Sequence, residues 1–122
     1  MTTTTSLWRY DDPVWAETDL VGYTVEALDG TIGKIDEASK EIGARYLVVD
    51  TGPWIFGKKV MLPAGIVDGV DTRKERVYVE RTRDEIKSAP EFDVKRYHDP
   101  EYRQELGMYY ERIGMTRSGD RV

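Results

Sequence analysis

The single histidine of the sequence is the first place to look for chemistry, because an aspartate follows it directly at His98 and Asp99. A histidine paired with a carboxylate is common in acid–base sites, but adjacent residues seldom face each other. No motif links a serine nucleophile to His98, and the chain has no cysteine. We therefore expect a non-enzymatic protein with no catalytic residue.

Two other stretches have partial similarity to ligand-binding loops. The carboxylates of Asp68, Asp71 and Glu75 are scattered over one loop, but their spacing does not fit the alternating oxygen ligands of an EF-hand. The stretch Gly30–Lys34 is too short for a phosphate-binding P-loop and lies in a predicted hairpin. We interpret both as turns, and we expect neither a metal ion nor a cofactor.

A cluster of aromatic and basic residues is the best candidate for a ligand or partner contact. Its members are Trp54, Phe56, Lys58 and Lys59. Cations beside aromatic rings could bind a nucleotide or an acidic peptide. Alternatively, the two rings close one end of a barrel while the lysines protect a strand edge, and we favour this packing role.

Six short segments rich in apolar and β-branched residues predict the elements that position these side chains. They are Tyr23–Ala27, Ile32–Ala38, Tyr46–Asp50, Val60–Pro63, Ile66–Val70 and Arg76–Glu80. Tight turns join them, including Asp29 and Gly30, and Gly33 indicates a bulge or a close backbone approach. The pattern predicts a mainly β fold, a small antiparallel six-stranded barrel organised around the hairpin Tyr46–Pro63.

Two helices are predicted after the last strand. Thr82 and Glu85 have the spacing of a capping box, and that short helix should end before Pro90. Asp99 and Pro100 then predict the start of an amphipathic helix that ends near Gly114. Its apolar stripe consists of Tyr102, Leu106, Tyr109 and Ile113, with Tyr110 next to the stripe.

The N-terminal part of the chain carries two tryptophans, Trp8 and Trp15, after a threonine-rich start. Such large rings are costly to leave in water, so this arm is either a partner-binding segment or a strap across its own barrel, and we favour the strap. We divide the chain into an arm (1–19), a barrel-like domain (20–92) and a C-terminal helical extension with a tail (93–122).

The charge balance bears on partners and location. The 122 residues carry a formal net charge of −5, with basic and acidic side chains interleaved. Because phosphate binding needs clustered cations, we expect no specific binding of nucleic acid. The sequence has neither the basic start and apolar core of a signal peptide nor a run long enough to span a membrane, so we expect a cytoplasmic protein.

Over residues 20–92 the ordered motifs resemble the PRC-barrel family, which is named for a domain of the photosynthetic reaction centre H subunit. The shared residues are Gly22 and Val25, Asp29 and Gly30, Ile32–Ile35, Tyr46–Asp50, Val60 with Leu62 and Pro63, Val77 with Val79, Thr82 with Glu85, and Ala89 with Pro90. The resemblance implies a six-stranded barrel with a short helix. It implies no shared catalytic residues, and its stand-alone members look like small adaptors that often self-associate.

We therefore expect a scaffolding or adaptor domain that forms a homodimer and docks an unidentified protein partner. The residues expected to make self-association or partner contacts are Trp8, Trp15, Tyr102, Leu106, Tyr109 and Tyr110. Two alternatives stay open: an RNA-processing or small-ligand accessory module, and an assembly factor like the reaction-centre H-subunit domain. A basic surface patch would favour the first alternative, and an apolar patch at the aromatic termini would favour the adaptor.

Overall fold

A computed structural model of the chain describes residues 7–10, 12–39, 45–52, 59–93 and 95–120, with the side chains of 113–120 excluded. Its main feature is one six-stranded sheet with helices around it. The strands are β1 (Thr24–Ala27), β2 (Gly30–Ala38), β3 (Tyr46–Asp50), β4 (Lys59–Pro63), β5 (Val67–Asp71) and β6 (Arg76–Val79). The helices are α1 (Pro13–Ala16), α2 (Arg83–Lys87) and α3 (Pro100–Asp120).

The strand order of the sheet is β4-β3-β2-β1-β6-β5. Four neighbouring pairs are antiparallel, as predicted, and they include the central hairpin of β3 and β4. The expectation of a wholly antiparallel sheet is wrong, because β1 and β6 pair in parallel with Val25 opposite Val77. Between β1 and β6 the chain forms β2, β3, β4 and β5. This long connection allows β6 to lie beside β1 with the same strand direction.

Two bulges bend β2, the longest strand of the described sheet. Ile32 is the extra residue where β2 pairs with β1, and Asp36 is the extra residue where it pairs with β3. A Cβ atom on Gly33 would lie 2.0 Å from the Asp50 carbonyl oxygen, so only glycine fits at this position. The close backbone approach predicted at Gly33 is therefore confirmed, and the bulges increase the local twist of the sheet.

The link between β4 and β5 forces the sheet to curl. These strands are at opposite edges of the strand order, but only Ala64–Ile66, one turn of 3₁₀ helix, connects them. In a flat sheet the two edges would be about 24 Å apart, at ~4.8 Å per neighbouring strand. The connection from Pro63 to Val67 spans at most about 14 Å. The end of β4 and the start of β5 are consequently close together.

The two predicted helices are present after β6. The capping box is confirmed at α2, where the Thr82 hydroxyl accepts a hydrogen bond from the Glu85 N–H at 3.1 Å and the Glu85 carboxylate accepts one from the Thr82 N–H at 2.8 Å. Helix α3 begins at Pro100 as predicted. It ends at Asp120 and not near Gly114, because a single glycine lowers helix propensity without stopping a helix.

One hydrophobic core joins the sheet, the arm and α3. Leu7, Trp8 and Tyr10 from the arm are buried in the same cluster as the strand residues, as expected for a strap. Tyr102, Leu106 and Tyr110 of α3 are also members of this cluster. The Trp8 indole Nε1 lies 3.3 Å from where a Cβ on Gly107 would be, so the arm and the helix are in direct contact.

Candidate functional site

A partly enclosed groove runs between β4 and the segment that starts with α2, and it has a volume of about 200 Å³. The lining residues come from β4 on one side and from α2 and the chain after it on the other. They are Lys59, Val60, Met61, Ile86, Lys87, Ala89, Pro90, Glu91 and Phe92. We call this surface the β4–α2 groove.

The floor of the β4–α2 groove is apolar and fixed. Met61 of β4 and Ile86 of α2 are 2% and 1% exposed, so both are anchored in the core. Val60, Ala89 and Phe92 are half-buried and pack against the core from the groove side. The groove therefore offers apolar surface on a rigid base.

Helix α3 holds the far wall of the groove in place through two tyrosine hydroxyls. The Tyr109 hydroxyl donates a hydrogen bond of 2.5 Å to the carbonyl oxygen of Glu85 in α2. The Tyr102 hydroxyl donates one of 3.3 Å to the carbonyl oxygen of Pro90. Burial raises the pKa of both hydroxyls, and the carboxylates of Glu85 and Glu105 add to the effect at Tyr109 and Tyr102 respectively. Both hydroxyls stay protonated at neutral pH and act as donors.

The buried Arg81 makes a second connection between the sheet and α3. Its guanidinium donates hydrogen bonds to the carbonyl oxygens of Glu80 at 2.8 Å and Tyr110 at 3.2 Å. It also lies over the Tyr110 ring, with its Cζ 5.9 Å from the ring centroid. A buried charge needs such partners to compensate for lost water, and here they link the residues after β6 to α3.

Adjacent carboxylates of β2 connect to groove residues, Asp36 directly through Lys59 and Glu37 through Tyr97. Asp36, at the bulge, accepts a hydrogen bond of 2.7 Å from the Lys59 ammonium, which raises the pKa of Lys59. Glu37 accepts hydrogen bonds from the hydroxyls of Tyr46, at 3.3 Å, and Tyr97, at 3.2 Å. The Tyr97 ring in turn contacts Phe92 of the groove, with centroids 5.0 Å apart.

The rim of the groove carries two cations. Lys59 and Lys87 are both exposed, and Lys59 is bound to Asp36. Within the described ranges Lys87 has neither an ion pair nor a side-chain hydrogen bond. Glu91 is the one acidic side chain among the described lining residues. Counting the Asp36 that binds Lys59, two basic and two acidic side chains lie at the rim, so their charges balance.

Of the predicted aromatic and basic cluster, the structure describes one residue. Lys59 lies on the rim of the β4–α2 groove. Trp54, Phe56 and Lys58 lie outside the described residues. The predicted contact role of Lys59 stays a prediction, and the structure adds the residues of α2 and 89–92 as its neighbours.

The residues predicted to contact a second subunit lie mostly inside this one. Tyr102, Leu106 and Tyr110 are at most 2% exposed, and Trp8 is 6% exposed. Trp15 and Tyr109 are half-buried and pack against the same core. Their role in self-association stays a prediction. In this conformation, Trp15 and Tyr109 are the members of this set that a second subunit could contact.

The candidate chemical residues do not come together in a reactive arrangement. His98 is exposed and stacks on Tyr97, with ring centroids 3.9 Å apart. Asp71 accepts hydrogen bonds from the backbone N–H groups of Arg73 and Lys74, as a turn residue does. In the part of the chain that the structure describes, no three acidic or histidine side chains converge as a metal site would require.

Comparison of the chain with models of known protein families finds no match, and a search of curated proteins finds no similar sequence. Among the helices of the described residues, none combines the length and the apolar character needed to cross a membrane.

Sequence reasoning missed most of the groove. No local pattern in the sequence singles out Ile86, Lys87 or Phe92, because they are single residues in a short helix and in the irregular chain after it. The capping box at Thr82 and the proline at position 90 did indicate a short helix with defined ends, which forms one wall of the groove. The partner strand, β4, is distant in sequence, so the groove itself could not be inferred.

Proposed function

We propose that this protein is a non-enzymatic adaptor that docks a protein partner in the β4–α2 groove. The observation that carries the proposal is an apolar groove of about 200 Å³ with a rigid floor. Binding energy at protein interfaces is concentrated where a few side chains enter well-packed apolar pockets. A groove of this kind suits one such anchoring side chain.

The size of the groove favours a protein partner over a small ligand or cofactor. Sites for drug-sized molecules have volumes of roughly 300–1,000 Å³ and bury most of the ligand. The β4–α2 groove is smaller, at about 200 Å³. This size corresponds better to one large side chain of a peptide segment than to a whole nucleotide.

The adaptor role also follows from the proposed family relationship. We propose that the curled sheet closes as a PRC-type barrel, with β4 approaching β5. The support is the order of six short strands, the two bulges of β2 and the capped helix directly after β6. We further propose that this adaptor self-associates as a dimer. The alternatives are an RNA-processing or small-ligand role and an assembly role like that of the reaction-centre H subunit, and the experiment below separates the RNA-processing role from protein docking.

Capture from an extract of the native host tests the docking role. The full-length chain is compared with Ala89→Trp, which fills the groove, and with Lys74→Gln, which changes an exposed residue of another surface. We expect a protein that mass spectrometry finds with the wild type and Lys74→Gln but not with Ala89→Trp. Capture of the same proteins by all three folded chains would refute docking in the groove, and capture of RNA in place of protein would favour the RNA-processing alternative.

A further inference from the structure

We infer that the occupant of the β4–α2 groove is an extended segment of the partner protein that pairs its backbone with the free edge of β4. This inference rests on the proposed docking function and adds how the partner is held. Strand β4 is at one end of the strand order and pairs with β3 alone among the described strands. In the inferred complex, the partner segment adds a short strand beside β4.

The hydrogen bonds next to β4 show which of its backbone groups face away from β3. The Ala64 N–H donates to the carbonyl oxygen of Arg45 at 3.0 Å, directly beyond the paired residues of the two strands. Because bonded and non-bonded pairs alternate in an antiparallel ladder, Leu62 also bonds to β3. The N–H and C=O groups of Lys59 and Met61 therefore point away from β3.

The pairing of β3 with β2 gives the same alternation. The Ser39 N–H donates to the carbonyl oxygen of Tyr46 at 2.9 Å, so the backbone groups of Tyr46 and of Val48 face β2. Val48 lies opposite Met61 in the register of β3 and β4. The ladder with β3 consequently gives the backbone of Met61 no hydrogen bond.

The outward groups of Met61 have no hydrogen-bond partner elsewhere in the part of the chain that the structure describes. Met61 is only 2% exposed and lines the groove, so these groups are nearly shielded from water. A buried donor or acceptor without a partner costs about 1–3 kcal/mol. A backbone segment that enters the groove would recover part of this free energy, whereas an apolar side chain alone would not.

The rest of the groove fits a short extended segment. Its volume of about 200 Å³ admits only a few atoms beyond one large side chain, so one residue would pair with Met61. An apolar side chain of the segment would contact the half-buried Ala89 and Phe92. Backbone pairing requires no particular charge on the partner, in agreement with the balanced charges of the rim.

Amide hydrogen exchange of the full-length protein tests the free edge before any partner is added. The Met61 amide should exchange at least about tenfold faster than those of Val60 and Leu62, which bond to β3. The two neighbours are internal controls, because they belong to the same strand. Exchange at Met61 as slow as at both neighbours would show that the edge is already paired, and it would overturn the inference.

A selected peptide then tests the pairing. A random peptide library displayed on phage is selected against the full-length protein and depleted on folded Ala89→Trp. At saturation, the strongest peptide should slow amide exchange at Met61 by at least about tenfold. The peptide is also synthesised with one N-methylated residue at a time. Its affinity should fall at least about fivefold at alternate positions and little between them, because every second residue of an added strand faces β4.

The outcomes that would overturn the inference differ in what they mean for the proposed function. A peptide that depends on the groove but leaves exchange at Met61 unchanged, or that shows no alternation on N-methylation, would refute strand pairing and leave docking intact. Slow exchange at Met61 that depends on protein concentration without peptide would identify a second copy as the occupant and refute a partner segment. If no peptide distinguishes wild type from Ala89→Trp, and the capture experiment also fails, docking in the groove is refuted as well.

Discussion

At the scale of single residues, Gly33 is where the sheet tolerates least change. An added Cβ would lie 2.0 Å from a backbone oxygen of β3, and neither strand can move without breaking its ladder. We expect Gly33→Ala to lower the free energy of unfolding in urea by roughly 3 kcal/mol or more. Gly69→Ala is the control, because its Cβ would meet only the Tyr78 ring at 3.7 Å. Equal free energies of unfolding for the two variants would refute the close approach of Gly33 to the backbone of β3.

Val48 tests whether β3 is the central strand. Its side chain is 2% exposed, and four of the five residues of β3 are buried on its two faces. Val48→Ala should lower the free energy of unfolding by roughly 1–3 kcal/mol through lost burial and a residual cavity. Val14→Ala, at a position that is 66% exposed, should change it by less than about 0.5 kcal/mol. A loss at Val14 as large as at Val48 would contradict the burial described for β3.

At the scale of elements, α3 is a structural support for the groove wall. Truncation after Val94 would remove Tyr102, Leu106 and Tyr110 from the core, so it should destabilise the sheet. The hydroxyls of Tyr102 and Tyr109 are a better target, because each bonds one carbonyl of the wall.

Removal of the Tyr109 hydroxyl tests whether α3 positions the groove wall, because the ring that packs in the protein is kept. Tyr109→Phe keeps the ring but loses the hydrogen bond to Glu85, so we expect about 0.5–1.5 kcal/mol less stability in urea. Partner affinity should also fall, since α2 loses one of its attachments. Tyr78→Phe, at an exposed position on β6, should change neither quantity. Unchanged affinity in a measurably destabilised Tyr109→Phe would mean that α3 does not position the groove.

Local sequence patterns predicted the elements well, because they depend on neighbouring residues. The alternation at Val77 and Val79, the glycine at position 33 and the capping box at Thr82 each act over a few residues. The parallel pairing of β1 with β6 joins segments about fifty residues apart, and no local pattern encodes its direction. The extension of α3 beyond Gly114 shows the same limit, since a helix boundary depends on its surroundings as well as on propensity.

At the scale of the whole molecule, buried tyrosines predict sensitivity to alkali. Burial raises the pKa of Tyr10, and likewise that of Tyr46, from 10.0 to about 12 in the folded state. The unfolded chain therefore releases these protons first. The contribution of these hydroxyls to the free energy of unfolding should be fully present below about pH 10. It should decrease as the pH rises towards about 12, by about 1 kcal/mol per pH unit for Tyr10.

Urea unfolding over this pH range checks the expectation. The free energy of unfolding of the wild type should decline above about pH 10, and Tyr10→Phe should decline less steeply because one of the shifted groups is gone. A wild-type free energy that stays constant between about pH 10 and 12 would show that these hydroxyls are solvated in the folded protein.

The candidate site was only partly predictable because it is a property of the assembled chain. Lys59 could be singled out from its aromatic and basic neighbours in sequence. Its position opposite Lys87 depends on β4 and α2 lying side by side, which the core and the hydroxyls of α3 determine. The aromatic residues of the termini were prominent in the sequence, but most are needed to complete the core.

The central claim is that a protein partner docks in the β4–α2 groove, and amide chemical shifts test it most directly. Isotope-labelled full-length protein is titrated with the captured partner. We predict that the shifts change mainly at Lys59–Met61 and Ile86–Phe92. Changes confined to the surface lined by Glu26, Lys74, Arg76 and Tyr78, with the groove unaffected, would contradict the claim.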